Sequence, residues 1–317
     1  MIILPVAIAL VCAIIVIRFT LWNRGFFHVE PDWESLSADI GAEAADYIVM
    51  PSAEVLEAMD DGIVTVVLLG DDTIASERGI TGISNLLKNY SGATVYNCAF
   101  SSSRASSVYS SFNVEYGNDA FSFYRLATSI RSDDYTLQRA YLETADIRQD
   151  YFMDTIDLLD DIDFTTVDIL VLNYGVSDYL AGAPVDNEDD HYDLTTYGGS
   201  LRVGIDLLQE TYPNMTIVIA GPYYVELTDE DGNFLPGDST RNEAGAFISS
   251  YMSTALDICR NRNISFIDNF FGLDDIRLDP DTYLDETHTV LSYEGRQIYA
   301  RKMAYTLIRR LGFPYTE

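Results

Sequence analysis

Acidic and hydroxyl side chains recur in this 317-residue chain at one kind of place, just past a glycine that follows an apolar run. Residues 63–69 are all β-branched or aliphatic, and Gly70, Asp71, Asp72 and Thr73 come next. Residues 167–173 are a second largely apolar run, ending in Asn173 and followed by Gly175, Val176, Ser177 and Asp178. A third group, Asp285-Glu286-Thr287-His288, carries one of the three histidines of the chain, at 28, 191 and 288. A carboxylate held beside an imidazole orients it and balances its charge, the arrangement that general-base chemistry uses. Asp71 or Thr73 can equally cap the start of a helix.

For these groups to share a site, the two apolar runs must be neighbouring strands. Neither run alternates, which is expected of parallel strands covered on both faces. Strands are predicted at 63–69, 93–98, 167–173, 215–220 and 264–267. Helices are predicted at 79–90, 121–130, 135–159 (broken near Asp146), 196–212, 243–260 and 293–311. Regular alternation of strand and helix implies α/β: a parallel sheet with helices on both faces, a three-layer α/β/α sandwich. The carboxyl edge of such a sheet is where ligands bind, and all three groups fall there. Residues 61–317 read as one domain and 23–60 as a stalk or lead-in, with a short helix at 52–59.

Residues 1–17 carry no charge, and with the stretch to Trp22 they reach the roughly 20 residues that a bilayer requires. No basic segment precedes them and no small-residue cleavage site follows, so residues 1–22 read as an uncleaved single-pass transmembrane helix. Arg18 and Arg24 follow the span, which by the positive-inside rule favours a cytoplasmic domain.

The chain has 19 basic and 50 acidic residues, a formal net charge of −31. Such a surface repels phosphate backbones, so a nucleic-acid partner is not expected. The cysteines, 12, 98 and 259, have no zinc-like spacing, and Cys98 and Cys259 read as core residues. The acidic stretches 184–192 and 229–233 read as a solvated loop and a hairpin turn rather than calcium sites. No metal and no cofactor is expected.

Four blocks in order resemble the SGNH (GDSL-type) hydrolases over residues 61–312. The family's Gly-Asp-Ser block is Gly70-Asp71-Asp72 here. Its Asn-x-Gly-x-Ser-Gly block is Asn97-Cys98-Ala99-Phe100-Ser101-Ser102. Its Gly-x-Asn-Asp block is Gly175-Val176-Ser177-Asp178, and its Asp-x-x-His block is Asp285 to His288. The resemblance implies a flavodoxin-like sandwich and an esterase-type site. In that site Ser attacks an acyl carbonyl, His takes the proton and Asp orients the His. The backbone N–H groups of the Ser and Gly, with the Asn side chain, hold the oxyanion.

Here the nucleophile position is Asp72, the Gly position Ser102 and the Asn position Ser177, while Asn97 opens the second block and Asp285 and His288 match. A carboxylate at 72 has no proton for His288 to remove. At about 4 Å and an effective dielectric near 20 it opposes an oxyanion by roughly 4 kcal/mol, around a thousandfold in rate. Relocation of the nucleophile to Thr73, Ser101 or Ser103, a metal held by Asp71 or Asp72 with His288, and an acyl anhydride on Asp72 stay open. The expected arrangement has His288 held as imidazolium between Asp72 and Asp285. Tyr174, Tyr179, Tyr223 and Tyr224 could line the cleft and stack on sugars.

By resemblance the protein is a membrane-anchored relative with a degenerate site. The implied activity is ester hydrolysis or acyl transfer on an acylated carbohydrate or cell-wall polymer. The alternative is an inactive pseudo-esterase that binds glycan or serves assembly. Anchored relatives face outside the cytoplasmic membrane, which opposes the arginine argument and is the orientation adopted.

Overall fold

A computed structural model of the chain describes residues 44–144 and 150–313. The transmembrane helix predicted at 1–22 lies outside the described residues. Among the described residues, no helix is long and apolar enough to cross a membrane.

In chain order the elements are α1 (Ala53–Met59), β1 (Thr65–Gly70), α2 (Asp72–Ala75), α3 (Ile83–Ser91), β2 (Thr94–Asn97), α4 (Phe123–Ser132), α5 (Thr136–Thr144) and α6 (Phe152–Asp161). Then come β3 (Ile169–Asn173), α7 (Val176–Leu180), α8 (Tyr197–Thr211), β4 (Thr216–Ala220), β5 (Glu226–Thr228), β6 (Phe234–Pro236), α9 (Ile248–Arg262) and β7 (Ser265–Ile267). The chain closes with α10 (Asp274–Leu278), α11 (Pro280–Tyr283) and α12 (Tyr293–Ala304).

Five strands form one parallel sheet in the order β2-β1-β3-β4-β7, and β5 and β6 form a separate antiparallel hairpin. β3 is buried along its whole length and β1 from Val66 onward, which is why both runs lack polar alternation. The strand order reverses between β1 and β3. Right-handed crossovers then send α3 and α12 to one face and α4, α8 and α9 to the other. The packing agrees: α3 lies on α12, and α8 lies on both α4 and α9. The α/β/α sandwich expected from the sequence is the one observed.

Some boundaries differ from those predicted. The helix expected from 243 starts at Ile248, because residues 242–246 close a turn in which the Asn242 side chain accepts from the Ala246 N–H (3.0 Å). The last helix runs to Ala304 and continues as a wider π-type turn, Tyr305–Arg310.

The described part of the segment read as a lead-in packs on the domain through residues 45–49. Tyr47 bridges Phe266 antiparallel at the free edge of β7, and the Ala45 N–H donates to Asp268 Oδ2 (2.8 Å). Asp46 pairs there with Arg310 and with the fully buried Lys302. Covering an edge strand in this way removes a row of unpaired backbone groups. Cys98 and Cys259 are buried free thiols.

Candidate functional site

The carboxyl ends of β1 and β3, the pair at which the strand order reverses, carry the first two groups. Such a switch point is the usual ligand crevice of an open α/β sheet. Gly70 has no room for a side chain, since a Cβ there would lie 2.7 Å from the Asn173 carbonyl. Asp71 then caps α2, its Oδ1 accepting from the Thr73 N–H (3.0 Å). Its Oδ2 accepts from the Ser177 N–H (3.0 Å), so this carboxyl ties β1 to α7. Asp71 is fully buried, and burial pushes its carboxyl up to about 7 against the pull of those two backbone donors.

Asp72, half-buried, faces the serine loop after β2. Its Oδ1 accepts from the Ser101 hydroxyl (2.5 Å). Its Oδ2 accepts from the Ser102 N–H (2.9 Å) and, more weakly, from the Ser177 hydroxyl (3.4 Å). Ser102 keeps a left-handed backbone (φ 58°), the conformation that makes glycine the natural residue there. The loop is fixed from behind. Asp178 accepts from the N–H groups of Ala105 and Ser106 and from the Ser106 hydroxyl. The Ser101 N–H donates to the Tyr151 hydroxyl (3.0 Å).

Asn97 lies outside this constellation. Its side chain accepts from Arg78 (3.1 Å) and from the Ala99 N–H (3.2 Å), so its role is to shape the loop. Thr73 is buried, and the Ser103 hydroxyl is committed to the Phe121 carbonyl. Of the proposed alternative nucleophiles, Ser101 is the one whose hydroxyl is hydrogen-bonded to Asp72.

His288 has different neighbours from those expected. Its Nδ1 pairs with Glu226 Oε2 (2.6 Å) and its Nε2 with Asp281 Oδ1 (3.1 Å). Neither Asp72 nor Asp285 is its hydrogen-bond partner. Asp285 Oδ1 instead accepts from the Thr287 hydroxyl (2.8 Å) and from the N–H groups of Thr287, Thr289 and Val290, and so folds the loop that carries His288. A short acid bonded to its own following turn is not free to reach the ring. His288 has φ 56°, and its ring lies flat on Phe234 (centroids 3.8 Å apart, planes 10° apart).

Glu226, Asp281 and Phe234 escaped the sequence reading. Glu226 had a local signal, a single acid within Tyr223-Tyr224-Val225-Glu226-Leu227, because an acid inside an apolar run requires a partner. Asp281 and Phe234 had none.

Tyr174, Tyr179, Tyr223 and Tyr224 are all buried and are not available for stacking on sugars. Tyr223 instead joins the two halves of the site. Its hydroxyl donates to the Thr289 carbonyl (3.0 Å). Burial, with the charges of Asp71, Asp285 and Asp72 nearby, pushes that hydroxyl well above its ordinary value. Among the described residues, no group of three His, Cys, Asp or Glu side chains could hold a metal ion.

The fold can be compared with known proteins. A Chitinophaga pinensis protein described as a possible lipase is similar at 17% identity and TM-score 0.51, over 79% of this chain and 100% of its own. A Lactobacillus plantarum protein is similar at 16% identity and TM-score 0.50, over 77% of this chain and 96% of its own. The lipase/acylhydrolase of Enterococcus faecalis is similar at 13% identity and TM-score 0.45, over 80% of this chain and 99% of its own. No protein-family model and no curated protein matches the sequence. The chain shares its α/β fold with the Chitinophaga pinensis possible lipase and the Lactobacillus plantarum protein, in agreement with the fold that the order of the motifs led one to expect.

Proposed function

We propose that this is a membrane-anchored, SGNH-fold protein of the cell envelope whose cleft binds an acylated carbohydrate or cell-wall polymer without hydrolysing its esters. The observation that carries the reading is the place of the Asp72 carboxylate. Its Oδ2 takes the Ser102 N–H and the Ser177 hydroxyl, which stand at two of the three positions that in an SGNH esterase would hold the oxyanion. A fixed anion there competes with the acyl oxygen for donors and repels the charge that develops on it. The anchor at residues 1–22 holds the domain outside the cytoplasmic membrane. Protease treatment of intact cells tests this part, and survival of the domain until lysis refutes it.

The catalytic test is hydrolysis of 4-nitrophenyl acetate by the full-length protein, Asp72→Ser and His288→Ala. The natural protein and His288→Ala should be equally inert. Lifting a repulsion of about 4 kcal/mol leaves room for up to a thousandfold gain in Asp72→Ser. His288-dependent turnover by the natural protein would falsify the reading.

One observation favours a second reading, ester hydrolysis or acyl transfer on the same class of polymer. His288 keeps a carboxylate on Nδ1, and Ser101 offers a hydroxyl beside Asp72. Turnover lost in both Ser101→Ala and His288→Ala would establish it.

A further inference from the structure

His288 is only 7% exposed although it sits in a loop at the edge of the sheet: the β5–β6 hairpin covers its ring face and Nδ1, and Asp281 of α11 meets Nε2. The hairpin is not part of the main sheet. Its base is fixed: Val225 is fully buried, and the Gly237 N–H donates to the Val225 carbonyl (3.0 Å). Its turn, Asp229 to Asn233, is bonded within itself and mostly exposed.

Between base and turn, three contacts hold the hairpin to the histidine loop. The Glu226 N–H donates to the His288 carbonyl (3.0 Å), the Glu226 carboxylate pairs with Nδ1, and Phe234 on the second strand lies on the ring. Phe234 is itself 40% exposed, and its ring is stacked on the imidazole. A two-stranded ribbon is marginally stable alone, and its position depends on what it docks against.

We propose that the β5–β6 hairpin is a lid on the cleft, latched on His288 by Glu226 and Phe234, and that ligand reaches the histidine face when Phe234 lifts away. The proposal rests on the reading above for what enters the cleft, and it adds that entry is gated. Glu226 is the fixed part of the latch, bonded to His288 through both backbone and side chain, and Phe234 is the moving cover. In the closed state Phe234 occupies the face on which a ligand ring would rest.

The test is the rate at which diethylpyrocarbonate modifies individual histidines of the full-length protein, read by peptide mass spectrometry. His191, with a side chain 63% exposed, is the internal reference. In the natural protein His288 should react at least about tenfold more slowly than His191, as its burial requires. Phe234→Ala should speed His288 by about two- to tenfold, the range that one aromatic stack is worth, with His191 unchanged. Phe234→Tyr keeps the ring and should restore the slow rate. An unprotected His288 in the natural protein, or a rate insensitive to Phe234→Ala, overturns the lid. Equal rates in Phe234→Tyr and Phe234→Ala also overturn it, since a cover acts through its ring. Ester turnover by the natural protein would defeat the non-hydrolytic reading and leave these rates as they are, so the two failures are distinguishable.

Discussion

Replacing Asp71 with asparagine should change the stability of the protein with a sign that depends on pH. The native carboxyl is fully buried between the Thr73 and Ser177 N–H groups, and burial raises it from an ordinary 3.8 to about 7. Below pH 3.8 the acid is neutral in both states and imposes no ionisation cost. As pH rises toward 7 the unfolded chain ionises and the folded one resists, so stability falls. Above 7 the loss is complete, about 4 kcal/mol for this displacement. The asparagine side chain is neutral throughout and avoids that loss. It has one oxygen for two backbone donors, however, and its amide N–H group faces a second donor, which costs about 1–3 kcal/mol.

The two terms cross near pH 5, where about 1.7 kcal/mol of the ionisation loss is present. The variant should match the natural protein there and exceed it by about 2.5 kcal/mol at pH 8. Urea unfolding of both proteins at pH 5, 6, 7 and 8 reads the difference directly. It should grow by about 2.5 kcal/mol across that range, with most of the change below pH 7. A difference that stays flat with pH would show that Asp71 does not hold a buried, reluctantly ionised carboxyl at the end of β1, and the account of how Ser177 is positioned would go with it.

Two smaller changes probe the scaffold around the site. Ser102→Gly removes a side chain from a left-handed position while keeping the N–H that meets Asp72. It should stabilise by up to about 1 kcal/mol in urea, less what glycine adds to the freedom of the unfolded chain. Gly204→Ala places a methyl 2.4 Å from the Phe123 ring, where α8 packs on α4, and should cost about 1–3 kcal/mol with no local effect at the cleft. A Gly204→Ala protein as stable as the natural one would mean that these helices are further apart than the structure has them.

The arrangement around Asp72 clarifies what the substitution at this position does. The Asp72 side chain has its hydrogen bonds in the serine loop and at Ser177, and none with His288. It turns to the neighbouring serine loop and satisfies its donors, so a hydrogen-bonded carboxylate takes the place of a charged group left bare. The pair formed by His288 and Glu226 stands apart, intact and covered. Asp72 and His288, the two ends of the candidate site, are each closed on partners of their own.

Much of this was decided by local sequence. The apolar runs at 63–69 and 167–173 could only be buried strands, because their side chains leave no face for water. Gly70 and Asp71 mark a turn and a cap through backbone sterics and one short-range hydrogen bond, and the order of blocks along the chain determined which residues meet at the sheet edge. The partners of individual side chains were a different matter. Asp285 lies three residues from His288 and was expected to hold it, but the loop uses that carboxylate for its own backbone. The ring goes to Glu226, 62 residues away along the chain. The four tyrosines expected in the cleft are packed inside, and residues 45–49 cover the edge of β7 as part of the domain. Periodicity and turn chemistry act over a few residues and can be read in sequence. Which carboxylate reaches a histidine depends on how separate loops close over a shared edge, and only the packed chain determines that.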